Sequence, residues 1–204
     1  MTDSARLAAD TSMGPVTLDV ADLDAMTAYY RDAVGLSVLD SAGPVVTLGR
    51  AGDAGAASTP LVVLRHSPTL RHAGPREAGL FHTAILFETQ AALAAAVYAV
   101  ATTYPNRFTG SSDHLVSQAF YFDDPEGNGV ELYWDRDRTA WSWVHGQVEM
   151  ATLFLDPNAF LREHLTDEAL AAHGTAPAVV GHVHLSVGDI ATAPDAPVIR
   201  NLPP

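Results

Sequence analysis

Residues 117–135 read SQAFYFDDPEGNGVELYWD. Two β-prone runs, SQAFYFDD and GVELYWD, flank the tight turn PEGNG, which is the pattern of an antiparallel hairpin. Within GVELYWD, Glu131 alternates with Val130 and Leu132, so a strand turns it away from those apolar neighbours. A carboxylate turned into a protein interior needs a counter-charge, and a metal is one solution. The same alternation is also that of an ordinary solvent-facing strand residue. Which of these Glu131 is depends on what surrounds the hairpin.

Upstream of it, LFHTAILF (80–87) reads as a strand and TQAALAAAVYAVATTY (89–104) as a helix, while NRFTGSSDHLV (106–116) leaves room for a further strand. The first part of the chain runs in the same order. GPVTLDV (14–20) alternates as a half-buried strand, Asp22 caps a helix over LDAMTAYYRDAV, and Gly35 ends it. SVLD, PVVTLGR and PLVVLRH then follow as three β-prone runs. Two successive βαβββ units fit this order better than a doubly wound sheet, which needs a helix after nearly every strand.

The repeat is also literal. Gly14–Leu23, GPVTLDVADL, and Gly181–Ile190, GHVHLSVGDI, share Gly, Val, Leu, Val and Asp in register. The second stretch therefore reads as the first strand of a third unit. Beyond it, ATAPDAPVIRNLPP turns to Pro where a helix should follow, so the third unit reads as incomplete. The expected organisation is two βαβββ modules at 12–70 and 79–135, a crossover and helical connector at 136–180, and the incomplete start of a third module at 181–204. An isolated strand exposes unpaired backbone, so residues 181–187 are expected to dock on another sheet, within the chain or across a dimer.

Composition narrows the function classes. A net charge of −13 argues against nucleic acid and against an anionic membrane surface. With 48% apolar residues a proper core is expected, and without cysteine no disulfide, thiolate nucleophile or zinc finger is available. No apolar run reaches membrane-spanning length and the N-terminus has no apolar signal region, so a cytoplasmic protein is expected. No nucleophile elbow, Walker loop or dinucleotide fingerprint is present.

GLFHTAIL, SDHLVSQAFYFDDPEGNGVELYWDRDRTAW, LFLDPNAFL and GHVHLSVGDI together resemble the vicinal oxygen chelate superfamily of glyoxalases, antibiotic-resistance proteins and extradiol dioxygenases. Within it the chain is most similar to catechol 2,3-dioxygenase-like proteins, over about residues 12–192. The resemblance implies an α+β fold in which paired βαβββ modules and their mixed sheets form a cup around a divalent metal. Matched residue by residue, it implies His82, Glu131 and His182 as metal ligands, with Pro15 replacing the ligand of the first module. In complete relatives, the second and third modules would then have to pair. It also implies Tyr121, ten residues before Glu131, as a hydrogen-bonding partner of the substrate, and His114 as an acid or base.

Two His and one carboxylate leave positions open for substrate and oxygen, as in non-haem Fe(II) oxygenases. The expected cofactor is thus Fe(II), with Mn(II) the alternative. The expected partners are a small aromatic diol and O₂, in a homo-oligomer. Two alternatives stand beside this reading: a glyoxalase-type metal-dependent isomerase or lyase, and a non-catalytic or degenerate ligand-binding member. On residue pattern alone, His82 and Tyr121 also read as core or cup-filling side chains, and the His182/His184 pair as an exposed one. His66, His72, His145, His164 and His173 read as surface.

Overall fold

The computed structural model describes residues 11–52, 57–74 and 77–189. The tail 191–204 and Ile190, which the incomplete third module includes, lie outside the described residues. The first sheet has four strands, β1 (Val16–Val20), β2 (Ser37–Ala42), β3 (Val45–Arg50) and β4 (Thr59–His66), in the order β1-β4-β3-β2. β1 and β4 are parallel and the other pairs antiparallel. Helix α1 (Leu23–Ala28) follows β1, and Asp22 accepts a hydrogen bond from the Ala25 N–H at 2.9 Å, which satisfies a free donor of the first turn. A π-helical turn, Tyr29–Ala33, continues it and buries Tyr29 and Tyr30. Gly35 closes the segment with φ +80°, a conformation that glycine adopts at little cost.

The second sheet repeats this layout. β5 (Gly79–Phe87), β6 (Phe108–Asp113), β7 (Ser117–Asp123) and β8 (Gly129–Asp135) run β6-β7-β8-β5, with β5 and β8 parallel. In both sheets the first strand of the unit therefore pairs with the last. Helix α2 (Gln90–Thr103), capped by Thr89, buries Leu93, Val97 and Val100 in one continuous core with Phe87, Phe120, Phe122 and the first sheet's Leu48 and Leu64. The residues form a mixed α+β fold with one side of the second sheet packed on α2 and the other facing a cup.

The connector carries a hairpin of β9 (Trp143–Val144) and β10 (Gln147–Val148), then β11 (Leu153–Phe154), which adds to β6. Two short helices, α3 (Pro157–His164) and α4 (Asp167–Ala171), pack near α2. Two histidines here depart from the surface reading. His173 is half-buried, and its Nε2 lies 2.9 Å from the Ala33 carbonyl, donating to it. A Cβ on Gly35 would stand 2.6 Å from that nitrogen, so the glycine also makes room for the contact. His164 packs its ring 4.6 Å from Phe160 and meets the Gln90 side chain at 3.2 Å. Spacing alone could not place these side chains, because their partners are far away in sequence.

The last strand, β12 (Ala178–Ser186), pairs antiparallel with β5 at the edge of the second sheet, giving six strands in the order β11-β6-β7-β8-β5-β12. Val180, 5% exposed, anchors it in the core. Its partner is thus in the same chain. Among the described residues no helix is long and apolar enough to cross a membrane.

Candidate metal centre

Three neighbouring strands supply the centre. His82 comes from β5, Glu131 from β8 and His182 from β12, and the three form a group able to hold a metal ion. The Glu131 carboxylate is 3% exposed and His82 6%. Glu131 Oε2 lies 2.8 Å from His82 Nε2 and 3.0 Å from His182 Nε2, and the two Nε2 atoms are 3.4 Å apart. Register explains the meeting. Ala84 sits opposite both Glu131 on β8 and His182 on β12, while His82 precedes it by two residues on the same face. An irregularity between Val180 and His182 re-aims the end of β12.

The arrangement crowds two ring nitrogens and one oxygen around a single point. Ligand atoms about 2.1 Å from a cation and at right angles to one another stand about 3.0 Å apart, close to the spacings here. Replacing the shared protons by one divalent cation would satisfy all three groups at once. The donor set therefore fits a metal, and it is the two-His, one-carboxylate set with open positions. Burial pushes the Glu131 carboxyl up, but hydrogen bonds from His182 and His82 outweigh it and hold it down at about 2. The group is a carboxylate at neutral pH.

Tyr121, on β7, faces Glu131 across the hairpin. Its hydroxyl is 2.9 Å from His114 Nε2 and 3.4 Å from Glu131 Oε1. His114 Nδ1 lies 2.8 Å from the Ala151 carbonyl, which can only accept, so Nδ1 carries the proton. In the neutral ring Nε2 is then a bare acceptor, and the Tyr121 O–H donates to it. Burial and the Glu131 charge push the Tyr121 phenol well up, which keeps it protonated. The β6–β7 connection holds His114 in place. Leu115 adopts φ +69°, Asp113 accepts from its N–H at 2.9 Å, and Arg136 clamps the same carboxylate by donating from both Nη1 and Nη2. All five candidate site residues thus line one cavity of about 750 Å³.

Two supporting or lining groups, Tyr133 and Asp123, have no role in the sequence reading, whereas His184 is read there as exposed. Tyr133, two residues after Glu131 on the same strand, places its hydroxyl 3.4 Å from His182 Nδ1. A Cβ on Gly181 would fall 1.8 Å from that hydroxyl, so the Gly before the candidate ligand His182 is a packing requirement. Asp123, two residues after Tyr121, lines the cavity as well, and His184 and Phe81 form its rim with ring centroids 4.9 Å apart. The period-two rule could have flagged Tyr133 and Asp123, since each shares a face with a residue already singled out.

The sequence pattern of the Glyoxalase/Bleomycin resistance protein/Dioxygenase superfamily matches residues 12–132. A Catechol-2,3-dioxygenase of Bacillus subtilis (strain 168) is 29% identical over 187 residues, covering 90% of this chain. The chain spans 62% of that relative's length. Among solved structures, a glyoxalase/dioxygenase from Nostoc punctiforme superposes with a TM-score of 0.51 at 20% identity, covering 66% of this chain and 99% of that one. A glyoxalase/bleomycin resistance protein/dioxygenase from Alicyclobacillus acidocaldarius gives 0.47 at 17% identity, covering 63% and 95%. With more than half of its 204 residues matched by the family pattern, the chain belongs to the Glyoxalase/Bleomycin resistance protein/Dioxygenase superfamily.

Proposed function

We propose that the protein is an extradiol-type dioxygenase that opens a catechol next to its diol, with Fe(II) held by His82, Glu131 and His182. The observation that carries this reading is the convergence of two imidazole Nε2 atoms and one carboxylate oxygen beside the Tyr121–His114 pair. The similarity to a Catechol-2,3-dioxygenase supports the substrate class. Bound Fe(II) supplies a redox-active Lewis acid able to pass electron density between an aromatic diol and O₂.

The chain's own residues do the rest. Glu131 brings one negative charge to a buried position and would offset part of the cation's charge. His114 Nε2, with its tautomer fixed by Ala151, accepts the Tyr121 O–H, so a diol proton taken up by the Tyr121 oxygen would pass on to His114 as Tyr121 gives its own proton to Nε2. Tyr133 orients the His182 ring from behind. A glyoxalase-type isomerase remains the second reading and calls for a further ligand atom at the centre.

The test is anaerobic loading with Fe(II), elemental analysis, and a colour assay for ring opening of catechol in air. Yellow product and about one iron per chain, both lost in His82→Ala, are the expected results. Full metal occupancy with no ring opening would overturn the dioxygenase reading in favour of the isomerase.

A further inference from the structure

Asp123, Gly129 and His82 stand side by side on β7, β8 and β5, and all three line the cavity. Gly129 has no side chain, and none can be added, because a Cβ there would meet the Phe81 carbonyl at 2.2 Å. The floor between His82 and Asp123 is therefore bare across two strand spacings, about 10 Å. A flat ring held at the triad would find room over this gap, and a ring extending that way would turn its outer edge toward Asp123. Apolar surface closes the rim, with Phe81 against His184 and Met150 also lining the cavity.

Asp123 places a carboxyl group on that side of the cavity. Asp123 is half-buried, and burial pushes its carboxyl up from the ordinary value while Arg107 pulls it back in part. The Arg107 guanidinium is committed to the Pro125 carbonyl at 3.2 Å and is not among the cavity-lining residues. No lysine or arginine is found among the described residues that line the cup, whereas Asp123 and Glu131 both do.

Building on the reading above, we propose that Asp123 is a specificity residue that makes the cup a site for uncharged or cationic catechols and rejects those with an anionic substituent on the ring edge remote from the diol. A substituent carboxylate would be brought against the Asp123 carboxylate in a site of reduced dielectric, whereas an alkyl group would meet Phe81 and Met150. An ammonium group would pair with Asp123.

Calorimetric binding to Fe(II)-loaded protein under anaerobic conditions tests this without turnover. Three probes are compared: 4-methylcatechol, 4-(2-aminoethyl)catechol and 3,4-dihydroxybenzoate. The wild-type protein should bind the first two at least about tenfold tighter than the carboxylate, the scale of one like-charge contact in a partly screened site. Asp123→Asn keeps the shape, and the backbone hydrogen bond from the Asp123 N–H to Arg107 is independent of the side chain. In that variant the gap should narrow to about threefold or less. Equal affinities in the wild type, or an unchanged gap in Asp123→Asn, would overturn the assignment of Asp123 while leaving the dioxygenase reading intact. Binding of none of the three diols would overturn both.

Discussion

Glu131 sits where His82, 49 residues before it, and His182, 51 residues after it, converge, and it is the most buried of the three candidate ligands. Glu131→Gln keeps the shape but removes the charge that would hold a divalent cation at this buried position, and His182→Ala removes one candidate donor outright. Each should weaken Fe(II) binding by about a hundredfold or more, read by competition with a chelator. Unchanged affinity in either would show that the ion sits elsewhere. Behind His182, Tyr133 acts through orientation, so Tyr133→Phe should cost about tenfold in metal affinity with an unchanged fold. Gly181→Ala should do more damage, since its new Cβ would fall on the Tyr133 hydroxyl and ring and force Tyr133 or β12 to shift. A Gly181→Ala protein with wild-type metal affinity would contradict this packing.

β12 is the element on which the candidate centre depends, because it delivers His182 from a strand that, among the described residues, has only β5 beside it in the sheet. Val180 holds it down through burial in the core. Val180→Asp would place an unpaired charge there, and should cost about 2–4 kcal/mol of stability and reduce metal affinity to the level of His182→Ala. Intact affinity in Val180→Asp would mean that the strand is held by other contacts. Much of this element was legible beforehand, because GHVHLSVGDI copies GPVTLDVADL and alternates with period two. Its partner was not legible. Alternation says that one face of a strand is buried, but not which free edge it joins, and both β5 and a second copy offered one. The same holds for the connector histidines, whose tertiary partners Ala33, Phe160 and Gln90 leave no mark on local spacing. The site was more legible than its support: His82, Glu131, Tyr121 and His114 each sit in a motif, whereas the Ala151 carbonyl that sets the His114 tautomer has no side-chain signature.

Across the whole molecule, two charge effects oppose each other as pH falls. The net charge of −13 at pH 7 makes the folded protein repel itself, and protonating exposed carboxylates relieves this as the pH approaches the isoelectric point near 4.8. Glu131 works in the other direction. Its folded-state carboxyl is depressed from 4.5 to about 2, so the stability it contributes is complete above about 4.5 and is lost as pH falls toward about 2. The metal-free protein should therefore hold or gain stability on going from pH 7 to about pH 5 and lose it steeply below about pH 4. In Glu131→Gln, the part of the acid loss due to this residue disappears and the profile below about pH 4 flattens. Added Fe(II) should raise the neutral-pH plateau of the wild type, since the ion binds the folded state selectively, and leave the variant's plateau nearly unchanged. Urea midpoints measured across this range, with and without the ion, separate the two effects. An equally steep acid loss in the wild type and in Glu131→Gln would show that the triad carboxylate carries none of the acid sensitivity, and that its short contacts to His82 and His182 do not stabilise the metal-free fold.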